Sequence, residues 1–438
     1  MSLVGRWFRF SLATGLVALG ALFACDTSGP TVPPPSGPAP AVEFDARFGD
    51  PPLAGSLHLT PSPKTLGWRY RVEGIASGGG VHAGALDGPV SIPYRFESLG
   101  SHRIRVELTG PEGVVEVEKR LVVTDPASDF VVLDLLPVEE IWPDESALSP
   151  EGIAIDHYGV YLYVGNYTTG EVVQVDAWSL EPLAERRYQL LPGVEGLALT
   201  PSSQRLLAIH KHDFFSVAST DDRSIVWQQV GLQGHFVGVL DESHALVSGY
   251  VLTSVNLASQ MIEHRADAFH ARHFAIDRSR GRVAVSNLSG KSLDLLALPA
   301  LETIRSIPLG PLWPQQVAFD PHENKVYVVA FDGEETTFLV LDPSTGARLA
   351  SIPLGPGACS GYCAANPVAT FGSGRYVAFE QPGSVLVVDT ELDQPRHRFG
   401  VPPVGVRAGP AGVAAQPDSD ILYVLGGPYD ALTKIRLR

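Results

Sequence analysis

Five of the 13 histidines, from the middle of the chain, align to one face of its repeating units: His210, His212, His235, His270 and His273. Imidazole titrates near neutral pH, so such a group can serve as a general acid or base. Imidazole with carboxylate also suits Zn, Cu or Ni. Glu151 and Glu195 supply candidate carboxylates, and His210, His212, His235 and His273 are candidate ligands of a transition metal. Only His210 and His212 are close enough in sequence to form a short pair, and the set matches no recognised ligand spacing. A plainer reading stands beside this one. Polar residues line a water-filled channel mouth, and the histidines there hydrogen-bond loop backbone.

Which reading holds depends on the elements that carry these residues. From EGIAIDHYGVYLYVGNYTTGEVVQVDAWS onward the chain repeats. Each unit is a strand, a turn, a strand, a turn and a strand, and QQVAFDPHENKVYVVAFDGEETTFLVLDPSTGARLASIPLG shows a fourth strand. Seven such units follow one another at a period of about 40 to 50 residues, which fits four-stranded propeller blades. The expected fold is all-β, with a seven-bladed β-propeller over 129–438. The last unit supplies only Gly412–Ala415, Ile421–Leu425 and Leu432–Leu437. An unassigned apolar run, Phe130–Leu136, precedes the first unit and is expected to complete the last blade, leaving no bare sheet edge. That places a domain boundary near Asp125–Asp129.

Aligned units place two sets of residues around one mouth. Before each innermost strand come Glu151, Glu195, Phe236, Arg272, Gln315, Asn366 and Ala411, with His235, His273 and Gln316 adjacent. At the ends of the second strands come Asn166, His210, Gly249, Asn287, Ala330, Glu380 and Gly426. From these rings the candidate ligand-binding face is Glu151, Asn166, Glu195, His210, His235, Arg272, His273, Asn287, Gln315, Asn366 and Glu380. Trp313 precedes an inner strand and would reach the mouth if it does not pack in the core. The other tryptophans are spread widely and are expected to pack between elements. No Gly-rich phosphate loop, HExxH or nucleophile elbow is present.

The units resemble YVTN-type β-propellers of bacterial and archaeal surface proteins. The resemblance rests on Tyr163-Val164-Gly165-Asn166, Val285-Ser286-Asn287 and Tyr423-Val424-Leu425, and on Val-Asp-like turns at Val175-Asp176, Leu341-Asp342 and Val388-Asp389. It implies the fold and says little about activity, because propellers host unrelated functions. Streptogramin lyases are seven-bladed propellers that use a histidine and a metal at this face. Their catalytic motif does not map onto this chain. The larger, Trp-rich quinoprotein propellers do not fit a sequence with six Trp that do not recur by unit.

The rest of the chain reads as a delivery system. Arg6 and Arg9 precede the apolar run Phe10–Phe23, too short to cross a bilayer comfortably, which takes roughly 20 apolar residues. Leu22-Phe23-Ala24-Cys25 resembles the lipobox of bacterial lipoproteins. This implies a signal peptide over 1–24, cleavage before Cys25 and lipid on Cys25. Asp26 directly follows, which in enterobacterial lipoproteins favours the inner membrane. Residues 25–41, rich in Pro, Gly, Ser and Thr, would form an extended tether. Residues 42–126 alternate apolar and polar positions, as in SHRIRVELTG and VVEVEKRLVVT, and resemble an Ig-like or PKD-like β-sandwich. Cys359 and Cys363 are a pair in an exported chain and are expected as a disulfide, with a two-thiolate metal site as the alternative.

The net charge of −16, with no basic run, excludes a nucleic-acid backbone as partner. The reading is therefore an exported lipoprotein facing periplasm or exterior. Its propeller binds an envelope protein, polymer or small ligand without catalysis or cofactor. A metal-assisted lyase or hydrolase and a structural surface-layer component are the alternatives.

Overall fold

The computed structural model describes residues 41–438 apart from 45–47, 50–51, 63–65, 77–79, 98–99, 112, 124–128, 144–148, 212–213, 233, 267–269, 323, 357–367, 382–383, 400–409, 427–430 and 438. Cys25, His212, Cys359, Cys363 and Asn366 lie outside the described residues. Strands form nine sheets. Two belong to the N-terminal region: a three-stranded sheet of Ala41–Phe44, Leu53–Thr60 and Val90–Phe96, and a five-stranded sheet that includes Trp68–Glu73, Gly100–Gly110 and Gly113–Val123. Their alternating apolar residues meet in one core, where Leu57, Leu59 and Ile92 face Trp68, Val72, Val106 and Leu108. Period-two patterning puts every second side chain on that face.

The other seven sheets have four strands each. The innermost strands are Pro150–Ile155, Val194–Leu199, Gly234–Val239, Ala271–Asp277, Trp313–Phe319, Ala369–Phe371 and Pro410–Ala415. In six sheets the remaining three strands follow in chain order. In the seventh, Ile421–Gly426 and Ala431–Leu437 are followed in space by Phe130–Pro137, which pairs antiparallel from Phe130 opposite Leu437 to Pro137 opposite Ala431. Seven apolar clusters each straddle two neighbouring sheets. One packs Leu207, Ile209 and Phe215 of the second sheet against Val237 and Val247 of the third. Another packs Tyr423 and Leu425 of the seventh against Ile153, Leu162 and Val164 of the first. The sheets thus pack in a closed circuit, each buried on both faces, which is why their middle strands read as near-continuous apolar runs.

The turns repeat as regularly as the strands. Asp176 accepts hydrogen bonds from the N–H groups of Trp178 and Ser179, and Asp342 does the same for Ser344 and Thr345. Hydrogen bonds from the Ser344 and Thr345 hydroxyls, and then from the Ser344 N–H, hold the Asp342 carboxyl down at about 2. Four residues after Asp176, Asn256, Asp342 and Asp389 the backbone turns left-handed, at Leu180, Gln260, Gly346 and Asp393. A short side-chain acceptor that mimics a backbone turn makes this conformation tolerable even without glycine.

Polar side chains reinforce the junction of the last and first sheets. Buried Lys434 donates to the carbonyls of Ala177 and Trp178, both at 3.1 Å, and lies 4.9 Å from the Trp178 ring. The Gln416 amide donates to the Gly159 carbonyl at 2.8 Å. Trp178, expected to pack between elements, is 65% exposed and serves this junction, whereas Trp68, Trp142 and Trp227 are buried as expected. Lys434→Met should strand two carbonyls and cost about 1–3 kcal/mol, read as a lower urea midpoint with an unchanged strand signal in circular dichroism.

Candidate functional site

The innermost strand of each sheet is an edge, and in six of the seven sheets its described ladder to the second strand breaks at one recurrent place. The register shifts between Pro150 and Ile153, Val194 and Gly196, Gly234 and Phe236, Ala271 and Phe274, Pro314 and Gln316, and Pro410 and Gly412. A bulge at an edge breaks pairing and re-aims the extra residue's side chain. The extra residues are Glu151, Glu195, His235, Arg272, Gln315 and Ala411, with Gly152 and His273 sharing the wider bulges. Gly152 sits at φ +77°, a left-handed conformation suited to glycine. The sequence alignment placed Phe236 in this ring with His235 beside it. The structure puts His235 at the bulge and Phe236 on the strand.

Side chains from successive bulges interact around the ring. Glu195 Oε2 and His235 Nδ1 are 2.9 Å apart. Burial, and then the neighbouring charge of Glu195, push the Glu151 carboxyl up to about 7, while Lys211 opposes the shift. Lys211 itself sits over the Tyr167 ring at 5.3 Å. Next round, His235, Arg272 and Gln315 line a cavity of about 650 Å3 together with Gly249, Tyr250, His270, Leu288, Ser289, Trp313 and Phe331. Arg272 and Gln315 are buried, and His235 and Trp313 are half-buried. The Ser289 hydroxyl is 2.9 Å from His270 Nδ1.

Other expected site residues serve the scaffold. Asn166 is fully buried, and its Oδ1 accepts from the Thr168 N–H at 3.0 Å. Asn287 accepts from the Gly290 N–H at 2.8 Å and donates to Asp294 at 2.7 Å. Both cap the turn after the second strand. His210 is fully buried, with Nε2 2.9 Å from Ser216 Oγ. Burial lowers its pKa, and the Pro192 and Leu191 carbonyls oppose the shift. Glu380 is half-buried at the end of its strand, outside the cavity lining. His210, His235 and His273 each turn to different neighbours. Among the described residues no three His, Cys, Asp or Glu side chains come together as metal ligands. Tyr250, Leu288, Ser289 and Phe331 were not among the expected residues. They follow the second strands of the third, fourth and fifth sheets, one or two positions beyond or at the strand end.

His273 belongs to a second cavity of about 440 Å3 between the inner strands of the third to sixth sheets. Its ring stacks on Phe236 at 4.4 Å, and its Nδ1 accepts from the Val317 N–H at 3.3 Å. Nδ1 is therefore unprotonated and Nε2 carries the hydrogen.

With this geometry described, comparison with known proteins bears on fold alone. No family model and no curated protein matches the chain. Among solved structures it is similar to Kuenenia stuttgartiensis hydrazine synthase, at a TM-score of 0.57 and 15% identity over 67% of this chain and 96% of that one. It is also similar to the β-propeller domain of Myceliophteria thermophila Cps50 (Swd1), at 0.54 and 10% identity over 70% of this chain and all of that one. The fold is a β-propeller. The bulges project from the inner edges of its four-stranded sheets.

Burial, then the Arg272 charge, lower the His273 pKa from its ordinary 6.5 to about 3. The unfolded chain therefore binds a proton that the folded one rejects between these values. Stability is fully present above about pH 6.5 and is lost as pH falls toward 3, with a slope approaching about 1.4 kcal/mol per pH unit. His273→Gln should reduce the acid slope of unfolding free energy measured by urea titration between pH 7 and pH 4. An unchanged slope would contradict the assignment.

Proposed function

We propose that this is an exported lipoprotein carrying a seven-bladed, YVTN-like propeller that binds a small ligand without catalysis. Lipid on Cys25 anchors it. The Pro-rich segment to residue 41 and an Ig-like sandwich hold the propeller away from the membrane. The observation that carries the reading is the convergence of His235, Arg272 and Gln315, from bulges of three successive blades, on one cavity with aromatic walls. A concave, mixed apolar and polar site of this size suits a small molecule better than a flat polymer or protein surface. The hydrogen-bonded Glu195–His235 pair fixes one wall of it.

Two outcomes test this. Cys25→Ser should move the protein from the membrane fraction to the soluble envelope fraction. Retention on the membrane would contradict the lipid anchor. In thermal-shift measurements against a panel of sugars, amino acids, peptides and organic acids, at least one compound should raise the melting temperature of the full chain. A ligand at about 100 times its Kd adds roughly 2.7 kcal/mol. Trp313→Ala should abolish the shift, measured against the variant's own unliganded melt. A shift that survives Trp313→Ala would place binding elsewhere.

A further inference from the structure

We propose that the ligand of this cavity is a small organic anion carried on a flat apolar body. The inference rests on reading the cavity as a binding site, and adds the charge and shape of what it takes. Charge comes first. The chain has 48 acidic residues against 32 Lys and Arg. Yet among the described residues no Asp or Glu lines the cavity, while Arg272 does, with only 5% of its surface exposed. Lys291 adds a second cation, 4.4 Å from the Trp313 ring that forms part of the wall. Two carboxylates near the lining residues turn to other groups. Glu195 faces His235, and Asp332, next to Phe331, accepts from the N–H groups of Glu334 and Glu335 at 2.8 Å. A lining that holds a guanidinium and, among the described residues, no carboxylate favours anions over cations.

Shape comes from the walls. Tyr250, Trp313 and Phe331 line the cavity, and aromatic side chains favour offset or edge contact with a flat apolar body. The Arg272 guanidinium is a planar fork that matches a carboxylate in two parallel hydrogen bonds. Its five N–H groups can hold a protein partner and a ligand together. Gln315 and Ser289 supply neutral donors beside it. The volume of about 650 Å3 holds a two-ring compound with room for water.

The test is calorimetric titration of the full chain in lipid nanodiscs, with empty nanodiscs as the blank. The probes are 2-naphthoate, its neutral counterpart 2-naphthalenemethanol and its cationic counterpart 2-naphthylmethylamine. 2-Naphthoate should bind once per chain. The alcohol should bind about 10- to 100-fold more weakly, the loss expected for a hydrogen bond to a charged group, and the amine not at all. Arg272→Gln should weaken 2-naphthoate by a similar factor. Because Arg272 is buried and its replacement can perturb folding, Trp313→Ala is the second variant. It should weaken all arenes yet keep the preference for the anion. Equal or tighter binding of the alcohol or amine would overturn the proposal, as would undiminished binding of 2-naphthoate to both variants. If none of the three binds while another compound stabilises the protein through Trp313, the anion inference falls and the binding site stands. If nothing binds, both fall.

Discussion

The pairing of Phe130–Pro137 with Ala431–Leu437 is the constraint on which the propeller depends. It joins segments about 300 residues apart, so its loop-closure entropy is met only when every intervening sheet is in place. Without it, the strand Ala431–Leu437 would be a bare edge, and the first and last sheets would have only their faces to hold them. Lys434, Gln416 and Tyr423 add hydrogen bonds across the same junction, Tyr423 reaching the Ala177 carbonyl at 2.8 Å. Closure also fixes where each inner strand stands, and so where each bulge points.

The bulges serve two physical ends at once. They interrupt the inner edges, which would otherwise offer unpaired backbone along the channel. They also turn side chains of the first five sheets toward their neighbours. Because the backbone device repeats while the residue does not, chemistry varies around an otherwise regular ring. Carboxylates occupy the first and second of the seven four-stranded sheets, an imidazole the third, a guanidinium the fourth and an amide the fifth. The cavity opens where this series changes from acid to base, between the third and fifth blades. The face is therefore asymmetric although the scaffold is nearly regular.

Much of this was legible because it is periodic. Apolar alternation marked the blades, the missing strand of the last unit pointed to Phe130–Leu136, and the Val-Asp signature proved to be a turn device in which Asp176 and Asp342 hold backbone N–H groups. Five bulge residues, Glu151, Glu195, Arg272, Gln315 and Ala411, could be read by alignment. The third blade was displaced by one, because a bulge inserts a residue and Gly234-His235-Phe236 carries no mark of where the insertion falls. Asn166, His210 and Asn287 looked like ligand-binding residues by polarity alone. In the structure Asn166 and Asn287 also hold the turns after their strands, and His210 Nε2 meets Ser216 on the neighbouring strand. Tyr250 and Phe331 escaped notice because an aromatic in a loop carries no period. Only the proximity of Trp313 to an inner strand hinted at aromatic walls.

The central claim is that the bulge-bearing inner strands of the third to fifth blades form the ligand site. Hydrogen–deuterium exchange of the full chain, with and without a small-molecule extract of the envelope, tests it most directly. The account predicts added protection concentrated in Gly234–Val239, Ala271–Asp277 and Trp313–Phe319, with the outer strands unchanged. Protection confined to outer strands such as Pro182–Gln189 and Ile225–Val230 would contradict it, and would assign recognition to the rim of the propeller.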